Sequence, residues 1–302
     1  MQYEMPSYLR QLEAESIYII REVAAQFERP VILYSVGKDS SVVVRLALKA
    51  FAPVLPPFPL LHIDTSFDYP EMYEFRDTIT AQTGMNLLVY RNEEAIRENA
   101  NPFSLGTLKC CGLLRTRALL DGLAKYEVDA AIGGARRDEE RARAKERVFS
   151  FRDSFGQWDP RNQRPEMWKL YNGKVNKGES MRVFPLSNWT EFDIWLYILC
   201  EQIPIVPLYF AKPRPAVRRR GAIETFIEGV TRLDPGEEVH DVMCRFRSLG
   251  CTPCTGAIES SATTLEAIVE EMFGFRASER AGRVIDYDTD GSMEVKKREG
   301  YF

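Results

Sequence analysis

Apolar residues first recur at helical spacing: Leu9, Leu12, Ile19, Ile20, Val23 and Phe27 fall on one stripe. This predicts an amphipathic helix that stops before Pro30, because a residue preceding proline is pushed out of the helical region. The period then changes. Pro30-Val-Ile-Leu-Tyr34 is a short continuous apolar run, the pattern of a strand buried on both faces of a parallel sheet. The polar turn Ser35-Val-Gly-Lys-Asp-Ser40 follows, and from Ser41 the spacing of Val42, Val43 and Leu46 predicts a helix. Leu60-Leu-His-Ile63 reads as a second strand ending in Asp64-Thr-Ser66, residues 69–83 as a helix with Met72, Phe75 and Ile79 inward, and Leu87-Leu-Val-Tyr90 as a third strand. Residues 113–126 read as a helix and Ala130-Ala-Ile132 as a fourth strand ending in Gly133-Gly134. Repeated βα units predict an α/β fold with a doubly wound parallel sheet and right-handed crossovers. Ligands of such sheets bind at the carboxyl ends of the strands, where the three polar turns would gather.

Periodicity fades over residues 135–177, a charged, aromatic, turn-rich stretch that reads as a long functional loop over the sheet. Regular structure returns at Thr190, where Thr190 and Asp193 make a capping-box-like start to a helix with Phe192, Trp195, Leu196, Ile198 and Leu199 on one face. Past the prolines at 204–215 the composition turns basic (Arg218-Arg-Arg220), with a further helix expected at residues 265–272. The expected division is an α/β domain over 1–210 and a C-terminal module over 211–302, which is the candidate cluster-bearing and partner-docking part.

Composition narrows the function classes. Lys+Arg 40 against Asp+Glu 44 gives a net charge of −4, so no global basic field exists for gripping nucleic acid, and any anion site must be a local patch. The most apolar stretch, residues 51–63, is broken by Pro53, Pro56, Pro57 and Pro59, and the first residues lack a basic region followed by an apolar one. A membrane span and secretion are therefore not expected, and a cytoplasmic location is. Six cysteines in 302 residues are too few for a disulfide scaffold, and their grouping (Cys110 beside Cys111, Cys251 and Cys254 as C-x-x-C, Cys200 and Cys244 single) suggests a metal in a reducing compartment. With only His62 and His240 present, histidine-based catalysis has little material, and His62 in its apolar run is expected to be a satisfied core residue.

The turn after the first strand carries the chemistry. It lacks the G-x-x-x-x-G-K-[ST] spacing, so a P-loop hydrolysing mechanism is not supported. As an anion cradle it is well equipped: Gly37 lets the backbone approach a phosphate, Ser35 and Ser40 supply hydroxyls, Lys38 supplies charge, and the following helix directs its first N–H groups at the anion. An ordinary capped βα turn is the competing reading of so short a motif. Asp39 and Asp64, ending neighbouring strands, are candidates for Mg²⁺ on a triphosphate, with capping as the alternative for Asp39.

Ser35-x-Gly-Lys-Asp-Ser40 resembles the PP-loop of ATP pyrophosphatases, whose adenine nucleotide alpha-hydrolase-like fold the resemblance implies. Blocks along nearly the whole chain, among them Gly133-Gly-Ala-Arg-Arg-Asp-Glu-Glu140, Trp158-Asp-Pro-Arg-Asn-Gln-Arg-Pro165, Arg182-Val-Phe-Pro-Leu-Ser-Asn-Trp-Thr190 and Lys296-Lys-Arg-Glu-Gly-Tyr-Phe302, resemble the small, catalytic subunit of the bacterial heterodimeric sulfate adenylyltransferases. The resemblance implies attack of sulfate on the α-phosphorus of ATP, giving adenosine 5′-phosphosulfate and pyrophosphate, and a GTPase large subunit as partner. Sulfate needs no deprotonation at neutral pH, so such a site works by positioning and electrostatics. Lys38, Arg136, Arg137, Arg143, Lys145 and Arg147 are the candidate catalytic cations, and Ser35, Gly37, Lys38, Asp39, Ser40, Asp64, Gly133 and Gly134 the candidate nucleotide contacts. A solvated loop is the bland alternative for the arginines, since Asp138, Glu139, Glu140 and Glu146 are interleaved with them.

The cysteines depart from that family. Lys109-Cys-Cys-Gly112 and Gly250-Cys-Thr-Pro-Cys-Thr255 instead resemble the [4Fe–4S] ligand pattern of adenosine 5′-phosphosulfate reductases, which would make Cys110, Cys111, Cys251 and Cys254 cluster ligands, with Zn²⁺ as the second choice. Adjacent helical residues diverge by about 100°, so ligation by both Cys110 and Cys111 requires a distorted helix start. Those reductases also attack sulfur with a cysteine near the C-terminus, and this chain has none after Cys254. An iron–sulfur reductase of adenosine 5′-phosphosulfate or its 3′-phosphorylated form is therefore an alternative lacking its nucleophile; a redox-sensing nucleotide-binding regulator is a second.

Overall fold

The computed structural model describes residues 3–219, 222–274 and 299–300. Helix α1 (Ser7–Gln26) sinks Leu9, Ile19, Ile20 and Val23 into the core. Strand β1 (Pro30–Leu33) is buried at every position and runs into α2 (Lys38–Phe51). Then come β2 (Leu60–Ile63), α3 (Pro70–Thr83), β3 (Leu87–Tyr90), α4 (Glu93–Arg97), α5 (Pro102–Cys111), α6 (Ala118–Lys125) and β4 (Ala130–Ile132). After the short α7 (Arg141–Ala144), β5 (Phe149–Arg152) and β6 (Ser180–Val183) complete a six-stranded sheet of order β3-β2-β1-β4-β6-β5. All neighbours in it are parallel except β5 against β6. The strand order reverses beside β1, so the β1–α2 and β4–α7 turns open into one crevice.

Three expectations need correction. The helix expected from Ser41 starts at Lys38 with Gly37 as its N-cap, so Lys38, Asp39 and Ser40 form its first turn. Residues 113–126 are not one α-helix: a π-helical turn (Gly112–Arg117) follows α5 directly and precedes α6. The stretch 135–177, expected as loop, contains β5, and β6 follows at once. Their sequences hide them, because each carries a buried arginine, Arg152 or Arg182, where a core strand ordinarily shows an apolar residue.

Helix α8 (Glu191–Glu201) starts with the expected capping box: Thr190 Oγ1 accepts from the Asp193 N–H (3.2 Å) and Asp193 Oδ2 from the Thr190 N–H (2.8 Å). Beyond it, β7 (Lys212–Arg219), β8 (Ala222–Thr225), β9 (His240–Arg245) and β10 (Gly256–Glu259) close an antiparallel barrel, followed by α9 (Leu265–Met272). Ala216, Ile223, Cys244 and Phe246 of this region join Ile32 of β1 and Trp195 of α8 in one continuous core. In the basic stretch Arg218 pairs with Glu259, Arg219 with Glu224 and Glu237, and Arg220 lies outside the described residues, as does most of the C-terminal Lys296 block. Among the described residues no helix is long and apolar enough to cross a membrane.

Candidate active site

The turn between β1 and α2 is held in a conformation its sequence does not favour. Val36, β-branched and fully buried, has φ 63°, a left-handed geometry that costs such a residue on the order of 1–3 kcal/mol and is characteristic of ligand-binding turns. The turn is braced by Ser40 Oγ donating to Gly37 O (2.8 Å), and Tyr209 Oη accepts from the Lys38 N–H (2.8 Å). Lys38 is 1% exposed, its Nζ 3.1 Å from Asp39 Oδ2, while Arg136 Nε donates to Asp39 Oδ1 at 2.7 Å. Burial alone would raise the Asp39 pKa, but the charges of Lys38 and then Arg136 outweigh it and hold this carboxyl well below the usual carboxylate range. Its contribution to stability is therefore complete above the ordinary value of 3.8 and disappears as pH falls through the depressed folded value. Comparing thermal melts, the stability advantage of the wild type over Asp39→Asn should be full near neutrality and shrink once the pH drops below 3.8.

Gly134 closes the other side. A Cβ there would stand 2.9 Å from Asp39 Cβ, 3.1 Å from Asp39 C and 3.2 Å from Ser40 N, so only glycine lets the β4 turn pack on the first turn of α2. We expect Gly134→Ala to destabilise the chain by about 1–3 kcal/mol, as overpacking does, and to weaken binding of an ATP analogue by displacing the α2 N-terminus. Denaturant titration and calorimetry check the two effects separately.

A cleft of about 1100 Å³, counting its open mouth, lies over these turns. Ser35, Gly37, Lys38, Asp39, Ser40, Gly134 and Arg143 line it, together with the apolar side chains of Leu33, Leu61, Ile63 and Leu119. Such a combination of polar and apolar lining suits a nucleotide. Arg136 acts on the cleft through Asp39, and Gly133 is buried behind it with its N–H on Val183 O (2.8 Å). Arg137 turns away to Asn188 Oδ1 (2.6 Å), and Lys145 and Arg147 are exposed and not among the lining residues. Asp64 is also outside the wall, accepting from the Ser66 N–H (2.7 Å) and the Tyr73 hydroxyl (2.9 Å); Ser66 itself takes a left-handed φ of 64°, a conformation that favours glycine.

Several lining residues carried no sequence signal. Tyr209, Asp68, Arg115 and Ser248 converge from separate elements and are found only by folding the chain. His62 is in the wall as well as buried. Its Nδ1 lies 2.9 Å from Tyr34 O, a carbonyl that can only accept, so Nδ1 carries the proton, and burial keeps the ring neutral by lowering its pKa.

Residues 29–257 match the phosphoadenosine phosphosulfate reductase domain family. Over 296 residues the chain is 58% identical to sulfate adenylyltransferase subunit 2 of Myxococcus xanthus (strain DK1622), covering 98% of this chain and 97% of that one. The chain belongs to the sulfate adenylyltransferase subunit 2 family. The protein of that name from Yersinia enterocolitica is 60% identical, with 98% of each chain covered. Among solved structures, Candida glabrata FMN adenylyltransferase in complex with ATP superimposes with a TM-score of 0.50 at 14% identity, over 94% of this chain and 91% of that one, and shares the fold.

Against this sulfate adenylyltransferase subunit 2 background four of the cysteines gather in one place. Cys110, Cys111, Cys251 and Cys254, from segments about 140 positions apart in sequence, line one small pocket with Thr65, Phe67 and Arg115. Cys110 and Cys111 close α5 between a kink at Gly106 (φ 77°) and the π-helical turn, so the backbone is distorted on both sides of the pair. None of the four is in a disulfide. Burial pushes the Cys110 thiol up to about 12, and hydrogen bonding to Cys111 together with burial pushes Cys254 up further. Among the described residues no three His, Cys, Asp or Glu surround a point where one metal ion could sit.

Proposed function

We infer that the chain is the catalytic subunit of a sulfate adenylyltransferase. The observation that carries this reading is one cleft joining Lys38, Arg143 and the first turn of α2, in a chain 58–60% identical over nearly its whole length to proteins of that name. A sulfate oxygen forms a bond to the α-phosphorus of ATP, the bond to the bridging α–β oxygen breaks, and the electron pair leaves with pyrophosphate; no proton has to move. The chain's own part is to hold two polyanions in line and to meet the charge building on the leaving group. In this reading Lys38 and the α2 N–H groups hold the phosphates and Arg143 the second anion, while Arg136 fixes Asp39. Asp39, ionised at the cleft wall, is the residue that would hold Mg²⁺, an ion that takes only one or two protein carboxylates beside phosphate oxygens. When bound, the cation offsets charge on the pyrophosphate.

We propose that the four thiols gathered in one pocket hold a [4Fe–4S] centre, with Zn²⁺ as the second choice. Such a centre would tie the π-helical turn to the loop at 250–255; iron and sulfide analysis after anaerobic purification tests it, and a fully active iron-free protein removes it. The relatives are named subunit 2, which supports a partner subunit. A GTPase fits that role, because the phosphate–sulfate anhydride is uphill and this chain lacks a G-x-x-x-x-G-K-[ST] loop of its own. We assign its docking to residues 213–220 and the module 211–302, and the reaction to the cytoplasm.

The match to a reductase domain favours a second reading, reduction of the sulfonucleotide, but no cysteine follows Cys254 to attack sulfur. Exchange of labelled pyrophosphate into ATP separates the readings. Label should enter ATP only when sulfate is present, with greater extent beside a GTPase partner. Sulfite release without exchange would instead establish the reductase, and nucleotide binding with neither activity a regulator.

A further inference from the structure

We propose that Cys251 positions Arg115 for the phosphates of the bound nucleotide, which makes the thiol pocket a control point for the cleft. The inference rests on the adenylyltransferase reading of that cleft. Arg115 lies in the π-helical turn Gly112–Arg117 and lines both the nucleotide cleft and the thiol pocket. Its Nη2 donates to Cys251 Sγ at 3.2 Å and stands 3.9 Å from Asp68 Oδ1, while Thr65 Oγ1 lies 3.3 Å from the same sulfur. Asp68 and Gly250 belong to the cleft wall; Cys251, the very next residue, belongs to the pocket. The partition between the two sites is therefore one guanidinium and one peptide unit thick.

A guanidinium is a rigid planar fork, so fixing one nitrogen fixes the direction of the others. The backbone under Cys251 is itself tied down, with Thr255 Oγ1 donating to Cys251 O (2.8 Å) and accepting from the Gly250 N–H (3.0 Å). Cys251 Sγ consequently sets where the Arg115 fork stands against a cleft that otherwise offers Lys38 and Arg143 to a polyanion. Anything that occupies or alters that sulfur moves the fork, and by linkage a bound nucleotide changes how readily the sulfur is altered.

Calorimetric titration of the reduced, full-length chain with the ATP analogue AMPCPP tests this. Cys251→Ala should weaken binding at least about fivefold, the low end of coupling between sites. Cys251→Ser, which keeps an acceptor in place, should restore most of the loss, and Cys200→Ala, remote from the cleft, should change nothing. In an Arg115→Gln background the Cys251→Ala substitution should add no further loss. Arg115→Lys, which keeps the charge but not the fork, should bind as weakly as Cys251→Ala and carries the test if the alanine variant melts without cooperativity. Cys251→Ala binding within twofold of wild type, or equal losses in both Arg115 backgrounds, overturns the proposal while leaving the nucleotide reading intact. No heat with the unsubstituted chain overturns both.

Discussion

Lys38→Ala should lower sulfate-dependent pyrophosphate exchange by about 10²–10³, the usual loss when one preorganised donor facing developing charge is removed. The size follows from placement. Lys38 is 1% exposed at the first turn of α2, where helix N–H groups and its ammonium address the same anion, and water screens neither. Its removal leaves Asp39 still bound to Arg136 Nε at 2.7 Å, so the turn keeps one of its two cations and the chain stays folded. The loss therefore appears in kcat/KM with a modest change in Tm. Arg143→Ala makes the comparison sharper. Glu139 Oε2, 3.2 Å from Arg143 Nε, already offsets part of that charge, so its loss should be the smaller. Steady-state exchange at saturating sulfate reads both, and a Lys38→Ala enzyme retaining activity within tenfold of wild type would show that the triphosphate does not lie against this turn.

The β1 run, the glycine-containing turn and the capping box at Thr190 were legible in the sequence because each is local. Apolar runs, N-terminal donors and a side chain three residues from its backbone partner carry their meaning over a handful of positions. The four cysteines were legible as two pairs, and their convergence in one pocket follows from two segments far apart in the chain. Tyr209 and Asp68 were not legible, since neither sits in a motif and each reaches the cleft only through the packing of its element. The basic loop gave a mixed outcome for a physical reason: Arg143 of α7 faces the cleft and Arg136 braces it through Asp39, whereas Arg137 turns to Asn188 and Lys145 and Arg147, beyond α7, are exposed outside the cleft wall. Charge density in a sequence does not say which way a loop turns.

The buried charges that concealed β5 and β6 also predict the largest stability effect. Arg152 and Arg182, 0% and 1% exposed, stand on adjacent antiparallel strands with Ser150 opposite Arg182. Glu146 Oε1 accepts from Arg152 Nη2 at 2.5 Å and from Ser150 Oγ at 3.0 Å. Burial, and then the charge of Arg152, pushes Arg182 down to about 9, the mark of a guanidinium short of compensation, which the Glu146 carboxylate partly supplies. Glu146→Gln keeps the shape and removes the charge, leaving two cations in the interior, so we expect a destabilisation of about 3–5 kcal/mol, as for breaking a buried ion pair from one side. Denaturant unfolding measures it. Glu146→Gln with Arg182→Met should recover much of the loss, because one buried cation then remains instead of two; no recovery would mean that Glu146 acts on packing and not on charge. Glu146 lies three positions beyond Arg143, and its carbonyl is 3.5 Å from Arg137 Nη2, so the same ion cluster anchors the end of the arginine loop to the sheet. A Glu146→Gln chain assayed where it is still folded should therefore raise the KM for ATP, linking a charge hidden beneath the sheet edge to the cleft above it.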